Sequence, residues 1–239
     1  MARTREDLPR RMATLARWPV GIAYTSWRYM WRTTPMYRDE VEGSITEDLP
    51  PPPPEHVSLA GVQAVEDGTG PLFHRRYRAR IRESEVEPDE LVRLVAADPD
   101  RVAPSEFATF RRADGEAEPM RVGDDYVVRM AGPWDGPVRV ATRKSDSFRL
   151  LTLEGHLEVG QIEFRAYRDR DRLVFEIESW ARSKDRLTDL LYDHLRMSKE
   201  VQLHMWASTL EGIVGLSGGK LERGLEIHTR TVPEAELDE

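Results

Sequence analysis

The sequence predicts an α+β fold, a curved antiparallel β-sheet wrapped around a long C-terminal helix, with a Trp/Arg-rich helical extension at the N-terminus. Three observations predict it. Residues 161–167 and 172–181 alternate apolar and polar side chains, with Ile162, Phe164 and Ala166 on one parity of the first and Leu173, Phe175 and Ile177 on one parity of the second. This is the period-2 signature of strands with one buried face. Residues 183–216 contain no proline and carry Leu187, Leu190, Leu191, His194, Met197, Val201, Met205 and Ser208 at three-to-four spacing, as a helix with one apolar side does. Finally, the strands come in a run with the helices set apart, an order that favours an antiparallel sheet over alternating parallel units.

In chain order, residues 1–49 form a basic, aromatic extension that includes Trp18, Trp27 and Trp31 among arginines. Residues 50–70 begin with five consecutive prolines, Pro50 to Pro54, which read as a stiff polyproline spacer followed by a loop. Residues 71–219 are expected to form the main domain. Leu72, His74, Tyr77, Ala79 and Ile81 mark a first strand, and Pro88 opens a helix with Leu91, Val92, Leu94 and Val95 on its apolar side. Strands follow at 107–112, 120–130, 138–142 and 147–154, with a breaker-rich loop around Trp134 between the second and third of these. The charged connector 168–171 has the length and polarity of a hairpin turn. Ser183 suits the N-cap of the final helix and Gly218-Gly219 its stop. Residues 220–239 read as an acidic tail, with a short extra strand at 225–231 an open alternative.

Composition narrows the function classes. The 239 residues hold no cysteine, which excludes disulfides, thiolate metal sites and a cysteine nucleophile. Net charge is −8, yet residues 1–38 hold eight arginines against Glu6 and Asp7, so the remainder carries −14. An acidic body disfavours nucleic acid as a partner. No apolar run approaches ~20 residues and no signal peptide of the usual form opens the chain, so a cytoplasmic location is expected. The N-terminal tryptophans suit packing on the protein's own body, a homodimer contact or peripheral contact with a membrane surface.

The stretches MAGPWDGPVRV, LLTLEGHLEVGQIEF, RLVFEIESWARS and KEVQLHMW within residues 130–219 resemble the DUF1990 family, an uncharacterised family known mainly from bacteria. The strand–helix–sheet–long-helix order is also similar to the START-like (SRPBCC) helix-grip superfamily, which includes polyketide cyclases and lipid carriers. The resemblance implies a cavity between the sheet and the terminal helix, suited to a hydrophobic or aromatic small molecule or lipid, with no cofactor.

Within such a cavity the expected wall comprises Trp134, Phe164, Phe175, Ile177, Leu190, Met197, Val201 and Met205, with His156 and His194 as its polar members. His194 replaces a leucine seven residues from Leu187 and from Val201; it is either an acid–base group or a hydrogen-bonded core histidine. His204 falls on the helix flank. In Gly155–Gly160, His156 and Glu158 can form a proton-transfer pair, while the glycines equally suit the backbone demands of a turn. Catalytic candidates are therefore His194, His156 and Glu158. Glu176 and Glu178 oppose the phenylalanine parity, which places them on a solvated outer face, where Trp180 is out of keeping. There is no HExxH, GxSxG, phosphate loop, dinucleotide GxGxxG or metal-spaced His/Cys cluster. Three functions remain: a binder of an apolar ligand, a cofactor-free cyclase, dehydratase or isomerase in the same cavity, or an interaction protein docking through its N-terminal tryptophans.

Overall fold

The computed structural model describes residues 34–104, 108–113, 119–130, 135–184 and 196–237. Within them, strands β1 (Met36–Glu42), β2 (Thr69–Arg82), β3 (Ala108–Arg112), β4 (Asp125–Met130), β5 (Asp135–Arg143), β6 (Ser147–Thr152), β7 (Glu158–Asp169), β8 (Arg172–Ser183) and β9 (Lys220–Val232) make one curved sheet. Its order is β1-β9-β2-β8-β7-β6-β5-β4-β3. Only the β1–β9 pair runs parallel. Helices α1 (Ile45–Asp48), α2 (Pro88–Ala97), α3 (Arg196–Leu216) and α4 (Glu234–Leu237), with short 3-10 turns at Val65–Asp67 and Pro99–Arg101, complete the described elements. The α3 helix packs across β2, β8 and β9, and α2 lies on β6 and β7, so the sheet grips a long C-terminal helix as the sequence predicts.

The hairpin sets the frame. Phe164 stands opposite Ile177 and Ala166 opposite Phe175, so the apolar parity of both strands shares one face and enters the core with Phe148, Leu203, Leu210 and Ile213. Arg170, at φ 57°, carries the left-handed step of the two-residue turn between β7 and β8.

Several sequence expectations are corrected. Residues 220–237 are not a tail: the extra strand that stood as an alternative at 225–231 is present and longer. Residues 220–232 form β9 between β1 and β2, because Leu225 and Ile227 enter the core while Glu226 on the opposite parity is paired by Arg78 and Arg80 of β2. Residues 36–42 form an edge strand rather than part of a helical extension. The prolines are docked: the Pro51 carbonyl accepts hydrogen bonds from Gln161 at 2.8 Å and Arg149 at 3.3 Å, since polyproline leaves its carbonyls free of internal partners. Ser183, expected as a helix N-cap, is the last residue of β8. The buried stripe of α3 is Leu203, Ala207, Leu210 and Ile213, rotated from the predicted one, and His204 is buried too.

The expectation of a membrane or homodimer contact through Trp18, Trp27 and Trp31 is also corrected. Those residues lie outside the described ones, and the described tryptophans pack inward: Trp180 with Val65, Leu72 and Val232, and Trp206 against the main core. No surface tryptophan cluster exists among the described residues. Among the described residues no helix is long and apolar enough to cross a membrane.

Candidate functional site

A cavity of about 120 Å³ remains between the concave face of the sheet and α3. The floor is Phe148 stacked on Phe164, with ring centroids 4.7 Å apart, flanked by Val138 and Leu150. Trp206 of α3 stands edge-on to Phe164 at 5.7 Å, and Met205 lies beside it on the wall. Val102, just beyond α2, closes one side; Gly212 permits this, since a Cβ there would sit 2.8 Å from the Val102 carbonyl oxygen. An apolar cavity of roughly 150 Å³ holds one benzene ring, so this space is on the scale of a single small ring.

One end is polar, and its atoms are ordered by a chain of hydrogen bonds. Arg75, on the inward parity of β2 and only 7% exposed, donates to Gln202 Oε1 of α3 at 2.7 Å and lies 4.4 Å from the centroid of the Phe73 ring. Gln202 Nε2 donates in turn to both Glu158 oxygens, at 3.2 and 3.1 Å. The Glu158 backbone N–H donates to His156 Nδ1 at 2.9 Å. Burial lowers the His156 pKa below its ordinary value, against the opposing pull of the Glu158 charge. A neutral ring whose Nδ1 accepts carries its proton on Nε2. Burial raises the Tyr77 pKa on the same face, so that phenol stays protonated. The Trp206 indole N–H is buried and has no hydrogen-bond partner among the described residues.

Of the predicted site residues, His156, Glu158, Phe164 and Met205 line the cavity. Phe175 and Ile177 are fully buried in the core beneath it rather than on its wall. Trp134, Leu190 and His194 lie outside the described residues, and Met197 and Val201 belong to a part of α3 described by its backbone alone. Gly155 and Gly160 both have positive φ, 102° and 138°, and a Cβ on Gly160 would lie 2.0 Å from the Trp180 carbonyl oxygen. The backbone therefore accounts for both glycines, while the segment still presents His156 and Glu158 to the cavity. Sequence reasoning missed Arg75, Gln202 and Trp206. Arg75 had a signal, since it shares the parity of Tyr77, Ala79 and Ile81.

Comparison with known proteins gives one family and several distant structures. A family model described as Domain of unknown function (DUF1990) matches residues 46–211. No curated protein matches the chain. The hypothetical protein jhp0584 from Helicobacter pylori is 11% identical, with 59% of this chain and 86% of that chain covered and a TM-score of 0.45. The major latex-like protein 151 from Panax ginseng is 15% identical, with 61% and 97% covered and a TM-score of 0.41. The di-domain ARO/CYC StfQ of the steffimycin biosynthetic pathway is 11% identical, with 64% and 52% covered and a TM-score of 0.46.

Proposed function

The chain belongs to the DUF1990 family, and on that premise we propose that it binds a small, largely apolar molecule in the cavity between the sheet and α3. The family description names no function, so the reading rests on one observation: an apolar cavity walled by Phe148, Phe164 and Trp206 has an internally ordered polar group set at one end. Ligand sites combine an apolar wall with a few fixed polar atoms in this way. The test is a titration of ¹⁵N-labelled protein with single-ring probes such as ethylbenzene. Shifts concentrated at Phe148, Phe164 and the Trp206 indole N–H are expected, and they vanish in a folded Val138→Phe variant whose added ring fills the space. Saturating probe without shifts at those residues would reject the cavity as a binding site.

A second reading is favoured by the placement of His156 and Glu158 on the same wall: cofactor-free proton transfer, as in a cyclase, dehydratase or isomerase. A neutral imidazole and a carboxylate at one cavity end supply an acid and a base without metal. Unchanged turnover of an identified ligand by His156→Ala and Glu158→Ala would remove this reading and leave binding.

A further inference from the structure

We infer that the cavity selects a neutral hydroxyl-bearing ring, a phenol or an equivalent cyclic alcohol, and rejects the matching carboxylate. The inference rests on the cavity reading above and deepens it. Its first step is the orientation of Gln202. Arginine has donors and no acceptor, so the Gln202 atom facing Arg75 at 2.7 Å is the carbonyl oxygen. The amide nitrogen therefore faces Glu158, and because it can only donate, both Glu158 oxygens accept. A guanidinium buried behind an aligned amide thus fixes Glu158 as an acceptor on the cavity wall.

The second step is His156. Its Nδ1 is occupied by the Glu158 backbone N–H, which leaves the Nε2–H as the donor of a ring that lines the same cavity. The polar end thereby offers an acceptor in Glu158 and a donor in His156, two residues apart at the entrance of one strand. A hydroxyl is the small neutral group that donates and accepts through one oxygen. A ligand carboxylate has only acceptors and so cannot donate to Glu158, as a hydroxyl can.

A third observation comes from another element. Trp206 lies four residues beyond Gln202, on the neighbouring turn of α3, and its buried indole N–H lacks a partner among the described residues. A buried unmet donor is costly, and a ligand oxygen reaching it would remove that cost. Rings that carry a carbonyl or ether oxygen besides the hydroxyl should accordingly bind more tightly than simple phenols.

Three probes of similar size decide the matter: 4-ethylphenol, ethylbenzene and 4-ethylbenzoate, titrated at pH 7.5 against the full chain and followed by NMR shifts and calorimetry. The phenol is expected to bind at least tenfold more tightly than the benzoate and severalfold more tightly than ethylbenzene. In Glu158→Gln the phenol–benzoate ratio should fall to within about threefold. Equal binding of phenol and benzoate by the wild-type chain, or preference for benzoate, overturns the inference while leaving the cavity reading intact. If none of the three shifts the cavity residues, the cavity reading itself fails. The wild-type ratio needs no variant, so a Glu158→Gln chain that did not fold would leave the decision unaffected.

Discussion

The two faces of the same strands, β2, β7 and β8, use charge in opposite ways. On the convex face the buried carboxylates Asp48, Glu176 and Glu178 are closed by the chain itself. His74 sits between Asp48 and Glu178, 2.7 Å from each, and stacks on Trp180 with ring centroids 5.0 Å apart. Glu178 also accepts from Arg76 at 2.6 Å and pairs with Arg165 at 2.9 Å, while Glu176 is held by Arg78 and Arg165. Both glutamates are buried, which corrects the solvated face expected of them; they lie on the predicted parity, under a cover of arginines. On the concave face, Arg75 and Glu158 are bridged by the neutral Gln202 amide, next to empty apolar space. A saturated ion lattice has no valence left for a ligand. Polar groups that border open apolar space can still meet one, and on the proposed function this contrast separates the structural cluster from the ligand-facing one.

The largest expected effect follows on the convex side. Glu178→Ala takes from buried His74 one of its two carboxylates and from the partly exposed Arg76 and Arg165 a shared acceptor, a loss of about 3 kcal/mol in a urea denaturation series. Burial pushes the Glu178 pKa up, but hydrogen bonds from His74 and Arg76 and the charges of Arg165 and Arg76 outweigh it and hold the group at about 2. A folded value below the ordinary 4.5 means that the stabilisation is complete above about pH 4.5 and is lost as pH falls towards 2. That displacement corresponds to about 3 kcal/mol. Wild type should show this acid limb and Glu178→Ala should lack it; a variant as stable as wild type at pH 7 would place the binding-type logic on the wrong face.

The matching change on the concave side should be milder. Gln202→Leu removes the acceptor of Arg75 and the donor to Glu158, yet Gln202 and Glu158 are only half-buried and water can enter from the cavity. A loss of about 1–2 kcal/mol is expected from the same denaturation series, with loss of the phenol–benzoate discrimination. A cost equal to that of Glu178→Ala would erase the distinction between the faces.

How much of this was legible in the sequence depends on whether neighbours in space were also neighbours in sequence. The inward parity of Phe164, Phe175 and Ile177 could be read because β7 and β8 form a local hairpin. The burial of Glu176 and Glu178 could not, since the arginines that cover them include Arg76 and Arg78, about a hundred residues earlier. The phase of α3 was misread because its apolar pattern was anchored on residues before 196, whereas the packing that decides it involves Leu203, Leu210 and Ile213. His156 and Glu158 were found through their spacing on one segment. Arg75 and Gln202, which orient them, come from two other elements, and only the fold brings all four together.

The smallest effect sharpens the comparison most finely, because the two faces titrate in different windows. The His156 pKa lies below its ordinary 6.5, so the unfolded chain takes up that proton more readily than the folded one. Its contribution is therefore complete above pH 6.5 and declines as pH falls below it, before the Glu178 limb begins near 4.5. His156→Asn should remove the upper limb and leave the lower one unchanged. Direct NMR titration of the His156 ring should show a midpoint below 6.5 and, in the neutral form, the Nε2–H tautomer. A midpoint above 6.5 would mean that Glu158 governs the ring more strongly than burial does, and the donor needed to recognise a hydroxyl would then be an imidazolium, to which a carboxylate would bind equally well.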